Sequence, residues 1–375
     1  MQGQEKISSS QCLLLFITLV TATAVLFVPA ITAQEARQDG WLSALVFSTL
    51  FGLLVAVICT SLGLRFPGRT VIQYSPEILG RFLGKLAGLG YIFFFIHINS
   101  IIVREFGDFL TTVFLPDTPI DIFVATLLLL GASAVRNGLE VIARMNQFVF
   151  PLLLFSYMLI IVLVARDMDL HNLLPVLEGG IGPVLKGSFS LSAFRGEVCL
   201  ILMLLPSLNN SKEATLTTVK AVMWIGILLT VDTVATLAVF GPDITSVQVF
   251  PFLNLARYIS LGNFVERIES LVILIWVAGV VVKVSLIYYV AALAAAQWFN
   301  LREYRPVVLP IGMLIGVLSI TGFANSRELV EFIAKIWPPY GFSFELILPT
   351  VLLLAAMLRK KGGTRDAQKT RPASD

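Results

Sequence analysis

The chain has 375 residues, of which 57% are hydrophobic and only 14% charged, with a net charge of +3. A soluble domain averages about 25% charged residues, so the chain has too few charges to cover a water-facing surface, and its basic residues sit in short loops and the tail rather than in a nucleic-acid-binding patch. No HExxH, GxSxG or Walker-type loop occurs, and two histidines and three dispersed cysteines offer no metal or redox spacing, so no catalytic constellation is present.

Charge-free runs carry the first structural signal. Ile7–Gln34, Gly40–Leu64, Leu86–Val103, Met145–Ala165 and Pro306–Ser326 contain no charged residue. Each is near or above the ~18 apolar residues that cross a hydrocarbon core. Hydropathy and breaker residues predict ten transmembrane helices at about 9–33, 41–63, 84–114, 119–136, 142–165, 187–206, 213–240, 263–299, 306–323 and 338–358. The N-terminal run mimics a secretory signal, but it is longer than a signal core and Pro29 interrupts its end. It is read as a retained first span.

Between spans two and three lies the amphipathic stretch Ile72–Leu83, and between spans seven and eight lies Val249–Ile259. Each has a proline near its start and an arginine near its end, and each precedes a long helix. Matching interruptions in two five-helix halves point to an inverted repeat. The expectation is an all-α membrane protein with one permease-like domain over residues 1–360. Its halves run over about 7–165 and 187–358, spans one and six are broken, and a disordered basic tail covers 361–375.

Candidate site residues follow in chain order. In the first span, Ala22, Thr23 and Ala24 are small and allow a ligand near the backbone, a composition that equally suits close helix packing. The third span places His97, Ile101, Arg104, Glu105 and Asp108 on one stripe, facing either a cavity or the outer interface. In the sixth, Phe194, Arg195, Gly196 and Glu197 set two opposite charges beside a glycine within an apolar span. Buried charges in lipid face a cavity or a partner. Because the two charges are two residues apart, a continuous helix points them to different faces, and an unwound stretch resolves the conflict. Lys283 stands alone between long uncharged runs, 14 residues beyond Glu269. That is roughly 21 Å along a helix, well inside the hydrocarbon. It is read as a coupling or switching residue, or as a structural partner of Glu197 or Asp232.

The order of several short motifs resembles the spore-germination permease family, the integral B-subunit of GerA-type germinant receptors. The matching pieces begin with Asp39-Gly40-Trp41, then Arg104-Glu105-Phe106-Gly107-Asp108-Phe109 followed by Leu115-Pro116-Asp117-Thr118-Pro119, and Gly138-Leu139-Glu140-Val141-Ile142-Ala143-Arg144. Leu173-Leu174-Pro175, Gly180-Ile181-Gly182-Pro183, Phe250-Pro251, Glu266-Arg267-Ile268-Glu269 and Trp276 continue the series. The resemblance implies a LeuT-like five-plus-five fold and a sensor of small nutrients, often amino acids, in the spore inner membrane. It implies as partners an A-type subunit, a C-type lipoprotein subunit and the lipid bilayer, with no cofactor. The family's first-span break tends to be glycine-rich, where this chain has Ala22-Thr23-Ala24. A proton-coupled amino-acid transporter is the alternative function.

Counting basic residues orients the chain. The N-terminus, the loops after even-numbered spans and the tail hold 17 of the 27 Lys and Arg residues, which places both termini in the cytoplasm. Reporter fusions after Lys360 are expected to read cytoplasmic, and fusions within Arg166–Lys186 external. The reverse pattern overturns this orientation.

Overall fold

The computed structural model describes residues 5–259 and 268–363. The tail beyond 363 and the Glu266-Arg267 pair therefore lie outside the described residues. The first helix, α1 (Ser9–Ala36), starts where Ser8 Oγ accepts the Gln11 N–H while the Gln11 side chain accepts the Ser8 N–H. This reciprocal cap satisfies two otherwise orphaned donors. Just before it, Ile7 donates its N–H to Ser207 and accepts from the Asn209 N–H, both at 2.9 Å. Arg37 takes φ 50° and reverses the chain into α2 (40–64). A short helix α3 (Val71–Leu79) then leads to the long α4 (Arg81–Val113). The first half closes with α5 (Ile120–Asn137) and α6 (Leu139–Val164), which meet at Gly138 with φ 98°.

The second half repeats the pattern. It comprises α7 (Ile181–Ser207), α8 (Ala214–Val247), the short α9 (Pro251–Tyr258), α10 (Ile268–Trp298), α11 (Arg305–Thr321) and α12 (Ser326–Leu358). Eight apolar stretches are long enough to cross a membrane; one, Ser9–Leu64, holds both α1 and α2, and α11 is a shorter apolar helix. With these two additions the described residues contain ten spans. The break in α8 at Gly241 (φ 75°), followed by Pro242, ends the seventh span where the apolar run predicts. The two short helices α3 and α9 occupy the positions of the two amphipathic stretches.

Counterparts of the two halves pack on each other. Helix α1 lies against α7, and α4 against α10, while α1 also makes an extensive interface with α8. This arrangement puts the first spans of both halves, and the third spans of both halves, around one centre.

Two expectations need correction. No break occurs in the first span, since α1 is continuous through Thr21–Ala24. Alanine is the best helix former and lacks the backbone freedom of glycine, and the Thr21 hydroxyl returns its proton to the Ile17 carbonyl within the same helix. The tenth span begins at Ser326 rather than near 338, capped by Asn325 accepting the Glu328 N–H at 3.0 Å. Arg327, Glu328, Glu331 and Lys335 in its first turns hide it from a hydropathy reading.

Helix α3 rests directly on the start of α4. A Cβ on Gly84 would fall onto the backbone of Ser75 and Pro76. Gly84→Val therefore pries α3 away, at an overpacking cost of about 1–3 kcal/mol. A lower melting temperature of the purified protein in detergent is expected; an unchanged melt refutes the close approach.

Candidate functional site

The centre of the bundle is organised by one buried cation. Lys283 on α10 is fully buried and donates to Thr23 Oγ1 on α1 at 2.9 Å and to both carboxylate oxygens of Glu197 on α7 at 3.0 and 2.9 Å. All three ammonium protons thus have acceptors, which a charge at this depth requires. Of the two acids considered as its partner, Glu197 holds it. Asp232, also fully buried on α8, makes no ion pair with Lys283 among the described residues.

Glu197 is where α7 departs from α-helical geometry, tightening into a 3₁₀ turn over Glu197–Leu200. The chain is wound more tightly here, not unwound. Arg195 and Glu197 do point to different faces. Arg195 packs its Cβ toward Gly52 of α2, and its guanidinium finds no hydrogen-bond acceptor among the described residues. Gly196 between them lies against the Glu345 side chain of α12, so close that a Cβ would overlap the carboxylate. Glu345 itself sits in a π-helical turn, Ser343–Ile347, a form common at functional sites.

A small cavity adjoins the ion pair. Its walls include Thr23, Ile101, Glu105, Phe194, Glu197 and Lys283, and Trp337 and Ile333 of α12 complete it. Its volume is about 10 Å³, room for roughly one water. The centre is closed, and an amino acid enters only if the spans move. Glu105 is 6% exposed and makes no protein hydrogen bond through its carboxylate among the described residues, although it lies within electrostatic range of Lys283 and Glu197.

Of the ten sequence-predicted site residues, the structure therefore brings together Thr23, Ile101, Phe194, Glu197 and Lys283. The other five lie elsewhere. Ala22 lines a separate apolar cavity of about 70 Å³ with Val25, Phe109, Tyr157 and Trp276. Ala24 is packed in the core. His97 places Nδ1 3.2 Å from the Tyr340 hydroxyl and its ring on Phe93. Arg195 and Gly196 sit behind the cavity wall, facing α2 and Glu345.

Arg104, on the same stripe as Ile101, has a structural task. It pairs with Asp108 at 3.1 Å and donates to the Ser319, Ile320 and Phe323 carbonyls at 2.9–3.2 Å. It closes the C-terminal end of α11, where unsatisfied carbonyls and the helix dipole favour a cation. Trp337 and Glu345 were missed by the sequence reading. Glu345 did leave a signal, as the single charge in an apolar run from Phe342 to Leu358; Trp337 left none beyond its residue type.

Comparison with known proteins bears on this arrangement. A family model described as "Spore germination protein" matches residues 6–327. Spore germination protein KB of Bacillus subtilis (strain 168) is 29% identical over 361 residues, covering 95% of this chain and 96% of its own. Spore germination protein YndE of the same organism is 26% identical over 362 residues, covering 95% and 98%. Among solved structures, MhsT in complex with L-phenylalanine superposes with a TM-score of 0.69 at 14% identity, over 94% of this chain and 99% of MhsT. Mhp1, a nucleobase-cation-symport-1 family transporter in a closed conformation, gives 0.68 at 14% identity, over 98% and 82%. These two likenesses establish the LeuT-like transporter fold. With the family model covering most of its length, this chain belongs to the spore germination permease family.

Proposed function

We propose that the chain is the permease-like subunit of a spore germinant receptor, and that it binds a small nutrient, an amino acid by class, in the closed cavity between α1, α4, α7, α10 and α12. The observation that carries the reading is the Lys283–Glu197–Thr23 cluster, which ties three spans together at the wall of that cavity. A ligand that opens the cavity disturbs these bonds, so occupancy becomes a change in how α1, α7 and α10 sit together. Thr23, Ile101, Phe194, Glu197 and Lys283 form the proposed contact surface. Arg195 and Gly196 sit behind it, and Ala22, Ala24 and His97 lie outside it. Glu105 offers a carboxylate for a ligand's ammonium group.

The setting is proposed as the spore inner membrane with both termini cytoplasmic, beside A-type and C-type receptor subunits. The names of the relatives and the distribution of basic residues support this. The second reading, a proton-coupled amino-acid transporter, draws on the same buried ion pair and on the transporter fold. Radiolabelled amino-acid uptake into vesicles separates the two, since a sensor binds without accumulating ligand.

Two predictions test the site. Removing one member of a buried pair leaves the other uncompensated, at about 3–5 kcal/mol. Lys283→Met alone is therefore expected to lower protein stability. Adding Glu197→Gln is expected to restore the melting temperature without restoring the germinant response. If the double variant responds to germinant like wild type, the pair is structural only.

The second concerns Glu105. Loss of a charge-assisted hydrogen bond worth about 1.5–3 kcal/mol shifts the germination dose-response of Glu105→Gln spores by about ten- to a hundredfold, at normal protein level. An unshifted curve removes Glu105 from the ligand site.

A further inference from the structure

Lys85 and Trp298 form a ridge between two adjoining hollows on the outside of the bundle. The first, about 490 Å³, is bounded by Arg81, Phe82, Leu86 and Leu89 along the start of α4. Phe82 is 80% exposed and Leu86 56%, so this wall presents apolar surface to the surroundings. The second, about 440 Å³, lies between α3 and the end of α10 and is polar, lined by Gln73, Gln297 and Asn300. It shares Gln73 and Gln297 with the large vestibule that Glu5 and Lys6 border. Both hollows therefore lie at the membrane face where the N-terminal segment sits.

The ridge is built. The Trp298 indole N–H donates to the Lys85 carbonyl at 2.8 Å, and the Lys85 ammonium stands 5.1 Å from the centre of the Trp298 ring. The ring packs on Gly88, where a Cβ would come within 3.1 Å of it. Neither Arg81 nor Lys85 has a carboxylate partner among the described residues, whereas Arg69 on the same face pairs with Glu77 at 2.6 Å. Two unpaired cations thus flank an indole of the kind that marks the membrane–water interface. An apolar strip runs from them into the hydrocarbon, and polar amides lie on the other side.

We propose that this crevice binds an anionic phospholipid. The phosphate lies between Arg81 and Lys85, the glycerol and headgroup turn toward Gln73, Gln297 and Asn300, and one acyl chain lies along Leu86 and Leu89. Charge complementarity selects the phosphate, and basic pockets between spans favour anionic headgroups. The adjoining apolar strip selects a lipid over a soluble phosphate, which would leave that strip uncovered. Because α3, α4 and α10 all line the crevice, the lipid bridges the short helix of the first half to the third spans of both halves.

The test uses the full-length protein in phosphatidylcholine vesicles with rising fractions of chain-brominated phosphatidylglycerol, which quenches tryptophan on contact. The Trp298 component is isolated by difference against Trp298→Phe. Half-quenching of Trp298 is expected at about a tenfold lower mole fraction of brominated phosphatidylglycerol than of brominated phosphatidylcholine, given the attraction of two basic residues at an anionic surface. The Arg81→Gln/Lys85→Gln variant is expected to lose this preference, and soluble glycerol phosphate at matched ionic strength to leave it intact. Equal quenching of the Trp298 component by both lipids overturns the proposal. So does a preference that survives the double substitution, and displacement by glycerol phosphate would reduce the crevice to a phosphate site and overturn the lipid assignment.

Discussion

An ammonium group deep in a bilayer has to be satisfied from within the protein, and the bundle is arranged around that requirement. Lys283 uses all its protons on Thr23 and the two oxygens of Glu197. Thr23 belongs to the first half of the repeat, and Glu197 and Lys283 to the second. One cluster therefore fixes the two halves against each other at the level where the first spans of both halves meet. Such a pair contributes little net stability once desolvation is counted, yet breaking it by removing one partner is costly. Its effect is to select one relative placement of three helices.

The charge inventory near that cluster is larger than the bonded pair. Arg195 and Glu345 are fully buried, and among the described residues neither side chain's nitrogens or carboxylate oxygens have a hydrogen-bond partner. Glu345 lies within electrostatic range of both Lys283 and Glu197. Gly196 permits this crowding by having no side chain to collide with the Glu345 carboxylate. A core built for stability alone pairs its charges or replaces them with apolar groups. This one gathers Glu105, Arg195, Glu197, Lys283 and Glu345 about one irregular turn of α7, and among the described residues bonds only Lys283 and Glu197 to each other. Glu345 shares the electrostatic surroundings of the Lys283–Glu197 pair without bonding to either, while Arg195 faces Gly52 of α2.

Much of this was legible in the sequence because lipid leaves little choice. A charge-free run of membrane length is a span, and the paired amphipathic stretches became α3 and α9. A lone lysine far from either end of its helix was bound to be buried. Several of the parts that failed depend on contacts remote in sequence. Arg104 caps α11 through carbonyls more than 200 residues away, and nothing in its own neighbourhood announces that. His97 and Ile101 share a stripe, yet α12 presents Tyr340 to one and the cavity wall to the other. Ala22 and Ala24 had the small size of a broken segment but also the highest helix propensity, and propensity prevailed. Charged residues in the first turns of α12 concealed where the tenth span begins, though not its existence.

The N-terminal segment is bonded to the same bundle that holds the central cluster. Ile7 exchanges two backbone hydrogen bonds with Ser207 and Asn209, in the stretch that follows α7. Glu5 accepts from the Leu139 N–H at 2.6 Å and from the Tyr304 hydroxyl at 3.1 Å, reaching the α5–α6 turn and the start of α11. Helix α1 is therefore tied to the α7 region at two heights, by backbone bonds at one membrane face and through Lys283 in the core. With no break in α1 to absorb a bend, displacement of α7 around Glu197 either carries α1 with it or ruptures one of the two ties. The continuity of α1 thus joins Thr23 in the central cluster to the backbone bonds of Ile7 at the membrane face through one unbroken helical segment.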